Sequence, residues 1–151
     1  MTLKYNDYSE PVYDKENYVL ETTEKININD IIIVKDCVVK IIECITKSKK
    51  LLICVDIFTN KEVIEILNLS QNQHAQNQHV LKPKISQLEC VVISNVNNLV
   101  ELFDEENNLL FEIKLDPLID SQFINVDKLK SDDVVQVIKF MEKMRIEKKL
   151  N

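Results

Sequence analysis

Glycine is absent from all 151 residues of this chain. Phosphate-binding loops of the P-loop and dinucleotide type, the nucleophile elbow of hydrolases and the glycine loop of kinases all depend on glycine. The sequence therefore excludes those four kinds of site. Turns that ordinarily place glycine at a positive φ are expected to use asparagine or aspartate here.

Several other features are scarce. Tryptophan is missing and arginine occurs once, at Arg145. No apolar run approaches the ~20 residues that a membrane helix needs, and the first residues lack the apolar core of a secretory signal. The four cysteines, at positions 37, 44, 54 and 90, form no C-x-x-C pair. We therefore expect reduced thiols in a cytoplasmic protein that does not contact membranes.

Charge is distributed unevenly along a chain whose net charge is −6. Residues 31–84 carry eight lysines against five acidic residues, whereas the segments on either side are acidic. A basic middle between acidic ends indicates contact with a polyanion in the middle only. Chance clustering on solvated strands accounts for the same pattern, and both interpretations stay open.

Short β-branched runs bounded by polar pairs predict an all-β protein made of two small barrels in series. In the first half the predicted strands are 31–34, 37–44, 51–58 and 61–69; in the second half they are 88–94, 99–103, 109–115 and 134–140. Residues 141–150 are compatible with a short helix near the C-terminus. Closing each sheet into a barrel would remove its exposed edges.

The organisation predicted along the chain has three parts. Residues 1–20 form an acidic flexible tail, residues 21–81 the first barrel and residues 82–151 the second. The tetrad Gln-Asn-Gln-His occurs twice, at 71–74 and 76–79, and predicts a polar loop just before Pro83.

No catalytic group emerges. His74 and His79 have no nearby cysteine or carboxylate with the spacing of a zinc site. The cysteines lie in apolar strands, where a thiol behaves as a small buried hydrophobe. We therefore predict a protein that is not an enzyme, with no cofactor, no metal and no small-molecule substrate.

One basic segment differs from the rest. Lys47, Ser48, Lys49 and Lys50 lie between two apolar strands, which places them at the tip of a hairpin. Cations on a projecting tip suit contact with a phosphate backbone. Lysines at a strand end also keep a sheet edge soluble, so this alternative remains open.

Residues 55–61, Val-Asp-Ile-Phe-Thr-Asn-Lys, resemble the Ile-Asp-Ile-Phe-Thr-Gly-Lys signature of the translation initiation factor 5A family. The similarity rests on Asp56, Ile57, Phe58, Thr59 and Lys61. It extends in order to residues 29–35 and 40–43, and to 80–84 at the family's interdomain connection. The resemblance covers residues 20–120.

The resemblance implies an SH3-like barrel followed by an OB-fold. It also implies a translation factor that binds the ribosome, contacting large-subunit rRNA and peptidyl-tRNA. In the family, a lysine modified to hypusine projects from the loop Thr-Gly-Lys-His-Gly-His-Ala. Alignment inward from Glu43 and Asp56 leaves those seven residues without a counterpart, so hypusine is expected to be absent.

Two functions remain after this comparison. The first is a ribosome-bound factor without hypusine, acting as a reduced elongation factor or as an idle, dormancy-associated factor. The second is an RNA-binding module of OB type that acts off the ribosome. The acidic second half, whose only aromatic residues are four phenylalanines, weakens the second alternative.

Overall fold

A computed structural model describes residues 3–8, 10–68 and 79–151, and it divides the chain into two compact units, Met1–Lys84 and Ile85–Asn151. The repeated tetrads lie almost wholly outside the described residues, so the predicted polar loop stays a prediction. The domain boundaries expected after residues 20 and 81 also stay predictions.

The N-terminal unit contains eight strands in its described part. They are β1 (Lys4–Tyr5), β2 (Pro11–Val12), β3 (Tyr18–Thr22), β4 (Ile31–Val34), β5 (Cys37–Thr46), β6 (Lys49–Asp56), β7 (Glu62–Asn68) and β8 (His79–Pro83). Strands β4 to β7 form one antiparallel sheet in chain order, β3 pairs with β8, and β1 pairs with β2.

The core of this unit lies on one face of the four-stranded sheet. Its buried members are Ile26, Ile32, Val34, Val39, Ile41, Leu52, Cys54 and Val80. In β6 the burial alternates strictly from Lys50 to Asp56, because successive side chains of a strand point to opposite faces.

The C-terminal unit contains β9 (Ser86–Val96), β10 (Leu99–Asp104), β11 (Leu109–Lys114), α1 (Pro117–Asp120), a 3-10 turn at Val126–Lys128, β12 (Val134–Phe140) and β13 (Lys143–Lys149). The five strands form a single antiparallel sheet in the order β11-β10-β9-β12-β13. The core of this unit contains twelve buried apolar residues. Eight lie on the strands, among them Cys90, Leu102, Val137 and Ile146, and four lie between β11 and β12.

The all-β prediction is confirmed, and every strand predicted from the sequence overlaps an observed one. Neither main sheet is closed by a continuous hydrogen-bonded ladder in the described residues, which does not contradict the expected pair of small β-domains. Side chains bridge the edges instead. Lys35, in the turn before β5, donates from Nζ to the Ile64 carbonyl of β7 at 3.0 Å. The Arg145 guanidinium of β13 lies 3.6 Å from the centre of the Phe123 ring, in the segment that follows β11 and α1.

The helix expected at residues 141–150 is wrong. This segment forms a turn and then β13, in which Ile146 pairs with Val137 and is fully buried. Met, Glu, Lys and Arg favour helices locally, but pairing with β12 and burial of Ile146 override that preference. The short helix of the C-terminal unit is α1, which Pro117 opens and the Asp116 side chain caps through the Leu118 N–H.

The first 20 residues contain structure that the sequence did not predict. Tyr18 is buried and opens β3, which pairs with β8. The Lys84 ammonium donates to the Lys15 carbonyl at 2.7 Å, and the Lys84 N–H to the Asn17 carbonyl at 2.8 Å. The pairing of β3 with β8 and the contacts of Lys84 fasten the end of the acidic segment to residues 79–84.

The turns confirm that asparagine and aspartate occupy positions at which glycine is usual. Among the described residues, nine have a positive φ, and seven of them are asparagine or aspartate. They are Asn29, Asp36, Asn60, Asn97, Asn98, Asn108 and Asp132; Lys35 and Met141 are the other two. Asn and Asp tolerate the left-handed region best among residues with a Cβ.

Asn108, with φ 53° in the turn between β10 and β11, tests this assignment. We expect Asn108→Ala to lower the free energy of unfolding by about 1 kcal/mol, because alanine resists the left-handed conformation. Asn108→Gly should leave that free energy unchanged or raise it. Urea denaturation measures both. Glu106→Ala, in the same turn, is the control and should have no effect; equal loss from the alanine and glycine variants at position 108 would contradict the assignment.

Asp133 provides a test against pH. Its buried carboxylate accepts the Lys130 N–H at 3.0 Å and lies 3.3 Å from Lys149 Nζ, and these contacts lower its pKa. A carboxylate whose pKa is lower in the native state than in the unfolded state stabilises the fold at pH values above the unfolded pKa of about 3.9. This contribution disappears as the pH falls through the native pKa. We expect Asp133→Asn to lose stability at pH 7 and to flatten the fall in melting temperature below pH 4. If the melting temperature of the variant falls below pH 4 as steeply as that of the wild type, this role is contradicted.

Candidate functional site

The hairpin of β5 and β6 carries the basic segment. Thr46 and Lys50 are paired across the two strands, so only Lys47, Ser48 and Lys49 lie beyond that pair. The Lys47 N–H donates to the Lys49 carbonyl at 2.9 Å, and all three side chains are exposed. We call Lys47, Ser48 and Lys49 the hairpin tip.

Lys50 does not belong to the hairpin tip, which corrects the expectation that it is one of the RNA-facing cations. Its side chain is only 5% exposed. The ammonium donates to three backbone carbonyls, of Thr23 at 3.0 Å, Glu24 at 3.2 Å and Ile26 at 2.6 Å. All three of its N–H donors therefore have an acceptor inside the protein.

The reason for this placement is the alternation of β6. Lys50 points to the same face as Leu52 and Cys54, which line the core, whereas Lys49 points to the other face. Residues 51–55 are all apolar, so a period-two count in the sequence shows that Lys49 and Lys50 face opposite sides of β6 but not which side is buried. Sequence reasoning grouped the lysines by proximity and did not separate the two sides.

The signature residues form the turn at the other end of β6. Asp56 is buried, and its Oδ1 accepts the N–H groups of Phe58 at 2.8 Å and Thr59 at 3.1 Å. The Asn60 N–H donates to the Asp56 carbonyl at 2.8 Å, and Asn60 has φ 61°. Asp56 and Asn60 thus build the connection from β6 to β7.

The remaining signature residues also make hydrogen bonds within the N-terminal unit. The Ile57 N–H donates to the Val38 carbonyl at 3.0 Å, and the Lys61 N–H lies 3.4 Å from Thr59 Oγ1. The signature turn and the hairpin tip are separated by the length of β6, about 23 Å at the usual rise per residue of a strand. The structure therefore does not bring the two sets of predicted residues together.

The thiols and imidazoles form no second site in the described residues. Cys54 and Cys90 are fully buried, and burial, with nearby acidic groups, raises the pKa of each thiol to about 11. They are protonated and poor nucleophiles at neutral pH. The ring of His79 lies 6.3 Å from that of Tyr5, and no metal-binding cluster occurs in the described ranges. His74 lies outside them.

The C-terminal unit presents little for stacking nucleic-acid bases. Phe140 is buried, and Phe103, Phe111 and Phe123 are partly buried, so none of its phenylalanines is exposed. Phe111 and Phe123 pack against the core of the unit. The described helices include none with the length and apolarity to cross a bilayer.

Comparison with solved structures identifies the architecture. Initiation factor 5A from Methanococcus jannaschii superposes with a TM-score of 0.70 over 89% of this chain and 98% of that chain, at 11% sequence identity. An initiation factor 5A family protein from Naegleria fowleri gives a TM-score of 0.66 at 16% identity, over 89% of this chain and 99% of its own. The chain has the initiation factor 5A fold.

The resemblance inferred from residues 55–61 is thus confirmed at the level of the fold. No protein-family model matches the sequence. No curated protein matches it either. The superposition covers nearly the whole length of both solved chains, so this chain has both domains of the initiation factor 5A fold.

The two neighbouring lysines of β6 provide a matched test of this geometry. We expect Lys50→Met to lower the free energy of unfolding by about 2–4 kcal/mol, because buried carbonyls lose a charged donor. Lys49→Met should change it by less than about 0.5 kcal/mol, since exposed substitutions rarely matter. Urea denaturation of both variants measures the difference. Equal stabilities would show that Lys50 is not held by the three carbonyls.

Proposed function

We propose that this chain is a cytoplasmic, ribosome-binding translation factor of the initiation factor 5A type that works without hypusine. The observation that carries the proposal is the hairpin tip. It exposes Lys47 and Lys49 on a turn of minimal length, in a chain with the two-domain fold of those factors.

The chemistry of the hairpin tip supports an RNA ligand. Two exposed ammonium groups flank a serine hydroxyl, and lysines that project from a rigid hairpin contact phosphates without reading base sequence. The Lys50 ammonium is bonded inside the fold and adds rigidity rather than a phosphate contact. The proposed contact with large-subunit rRNA therefore rests on Lys47, Ser48 and Lys49.

The length of the hairpin supports the loss of the hypusine-dependent step. The seven loop residues of the resembled family would extend each arm by about 10 Å, at ~3.3 Å per extended residue. Because the turn here begins directly after Thr46, a lysine at its apex reaches correspondingly less far. The factor would occupy its ribosomal site as an idle or dormancy-associated protein, or give reduced support to elongation, and its contact with peptidyl-tRNA would be weaker.

Co-sedimentation with ribosomes tests the proposal. We expect the wild-type chain to pellet with large subunits at low salt, and the double variant Lys47→Glu/Lys49→Glu to bind at least about tenfold more weakly, with a shallower salt dependence. The matched control is Lys143→Glu/Lys148→Glu, a double reversal at exposed positions of β13, which should bind like the wild type. No wild-type binding at low salt would refute the proposal; binding to short single-stranded RNA alone would favour the alternative of an OB-type module off the ribosome.

Intact-mass measurement on protein from its native cells tests the absence of hypusine separately. We expect the mass to contain no hypusine addition on any lysine. A mass increase located to Lys47 or Lys49 by peptide sequencing would overturn the loop interpretation while leaving ribosome binding intact.

A further inference from the structure

Two glutamates face each other across β10 and β11 of the C-terminal unit. Glu101 and Glu112 are directly paired in the antiparallel ladder. Both side chains point away from the core, because the adjacent residues Leu102 and Ile113 point into it. We call Glu101 and Glu112 the carboxylate pair. Like charges in directly opposed positions of a sheet destabilise it, so this arrangement is unfavourable for the isolated chain.

The carboxylate pair has no cation beside it in the described part of the chain. Neither glutamate forms an ion pair or a side-chain hydrogen bond among those residues. Lys114, the lysine of β11, lies two residues from Glu112 but donates from Nζ to the Asn97 carbonyl at 2.7 Å. A cation supplied by another molecule would therefore remove a repulsion that the fold itself leaves in place.

A row of apolar side chains lies beside the carboxylate pair on the same face of the sheet. Leu110, Phe103, Val91 and Val134 are paired in turn across β11, β10, β9 and β12. We call these four residues the apolar row. Leu110 is 63% exposed, and the other three are partly exposed. An exposed apolar surface rimmed by polar groups is typical of an interaction site.

A third carboxylate borders the apolar row on its other side. Glu89 is exposed on β9, two residues from Val91 and on the same face. The nearest lysines of this face lie outside the row, Lys114 four residues beyond it along β11 and Lys148 on the next strand, β13. The middle of the row, at Phe103 and Val91, is therefore flanked on both sides by carboxylates.

We propose that this face binds an extended basic segment of another protein, with the pattern cation-x-apolar-x-cation. The carboxylate pair, the apolar row and Glu89 follow one another at intervals of two residues along the strands. Same-side residues of an extended segment repeat at that interval, about 7 Å, so its residues i, i+2 and i+4 meet the three groups in turn. An arginine at position i spans both members of the carboxylate pair, because its guanidinium presents a planar fork of N–H donors.

The contact is small, since three side chains of the segment reach the face. We expect a dissociation constant of about 0.1–1 mM for an isolated peptide of this pattern at low salt. The carboxylates lie at the surface, where salt screens their attraction for a cation. Binding should therefore weaken as the salt concentration rises.

Titration of the full chain with the peptide Arg-Ser-Leu-Ser-Arg, blocked at both ends and followed by amide chemical shifts, tests this proposal. We expect saturable shifts at β9, β10 and β11. The double variant Glu101→Gln/Glu112→Gln should bind at least about tenfold more weakly. Its melting temperature should be unchanged or higher, because the substitution removes the repulsion between the two carboxylates. The peptide Arg-Ser-Ser-Ser-Arg should bind the wild type several-fold more weakly, since it lacks the apolar contact.

The control is Glu16→Gln/Glu24→Gln, which removes two exposed carboxylates from the N-terminal unit and should bind the peptide like the wild type. Absence of saturable binding up to about 5 mM peptide would overturn the proposal, as would undiminished binding by Glu101→Gln/Glu112→Gln. Equal affinity for the peptide without leucine would overturn the contact with the apolar row. Because the assay contains no ribosomes or RNA, its outcome is independent of the proposed ribosome binding.

Discussion

The ammonium group of Lys50 joins the hairpin that carries the candidate site to the chain segment that precedes the four-stranded sheet. Burying a cation is unfavourable unless each of its donors is matched, and here three carbonyls provide the acceptors. One of these carbonyls belongs to Ile26, whose side chain is in the core. The contact therefore couples the base of the hairpin to the hydrophobic cluster beneath it, which keeps the hairpin tip at a fixed position.

The positions of most strands could be predicted because the β-branched runs in this sequence are short and clearly bounded. The location of the Lys47–Lys49 turn could be predicted for the same reason. Lys49 is exposed and Lys50 is buried because only one face of β6 is covered, and the elements packed against β6 determine which face that is. The polar composition of residues 47–50 does not show which face of β6 each residue occupies.

Other features depended on long-range pairing. Tyr18 and its strand are stabilised by β8, more than 60 residues later in the chain, and residues 143–149 become a strand because β12 is available beside them. The signature residues are a different case. Asp56 was recognised from a family pattern, and its hydrogen bonds to Phe58 and Thr59 show that its role in this fold is to hold a turn.

The glycine-free turns affect the unfolded state as well as the native one. A glycine in a disordered chain samples a much wider range of backbone conformations than asparagine or aspartate, and folding must remove that freedom. At positions such as Asn97 and Asn98 the native backbone carries some local strain, yet the unfolded ensemble is correspondingly narrower. The composition thus exchanges a small enthalpic penalty in each turn for a lower loss of conformational entropy along the whole polypeptide.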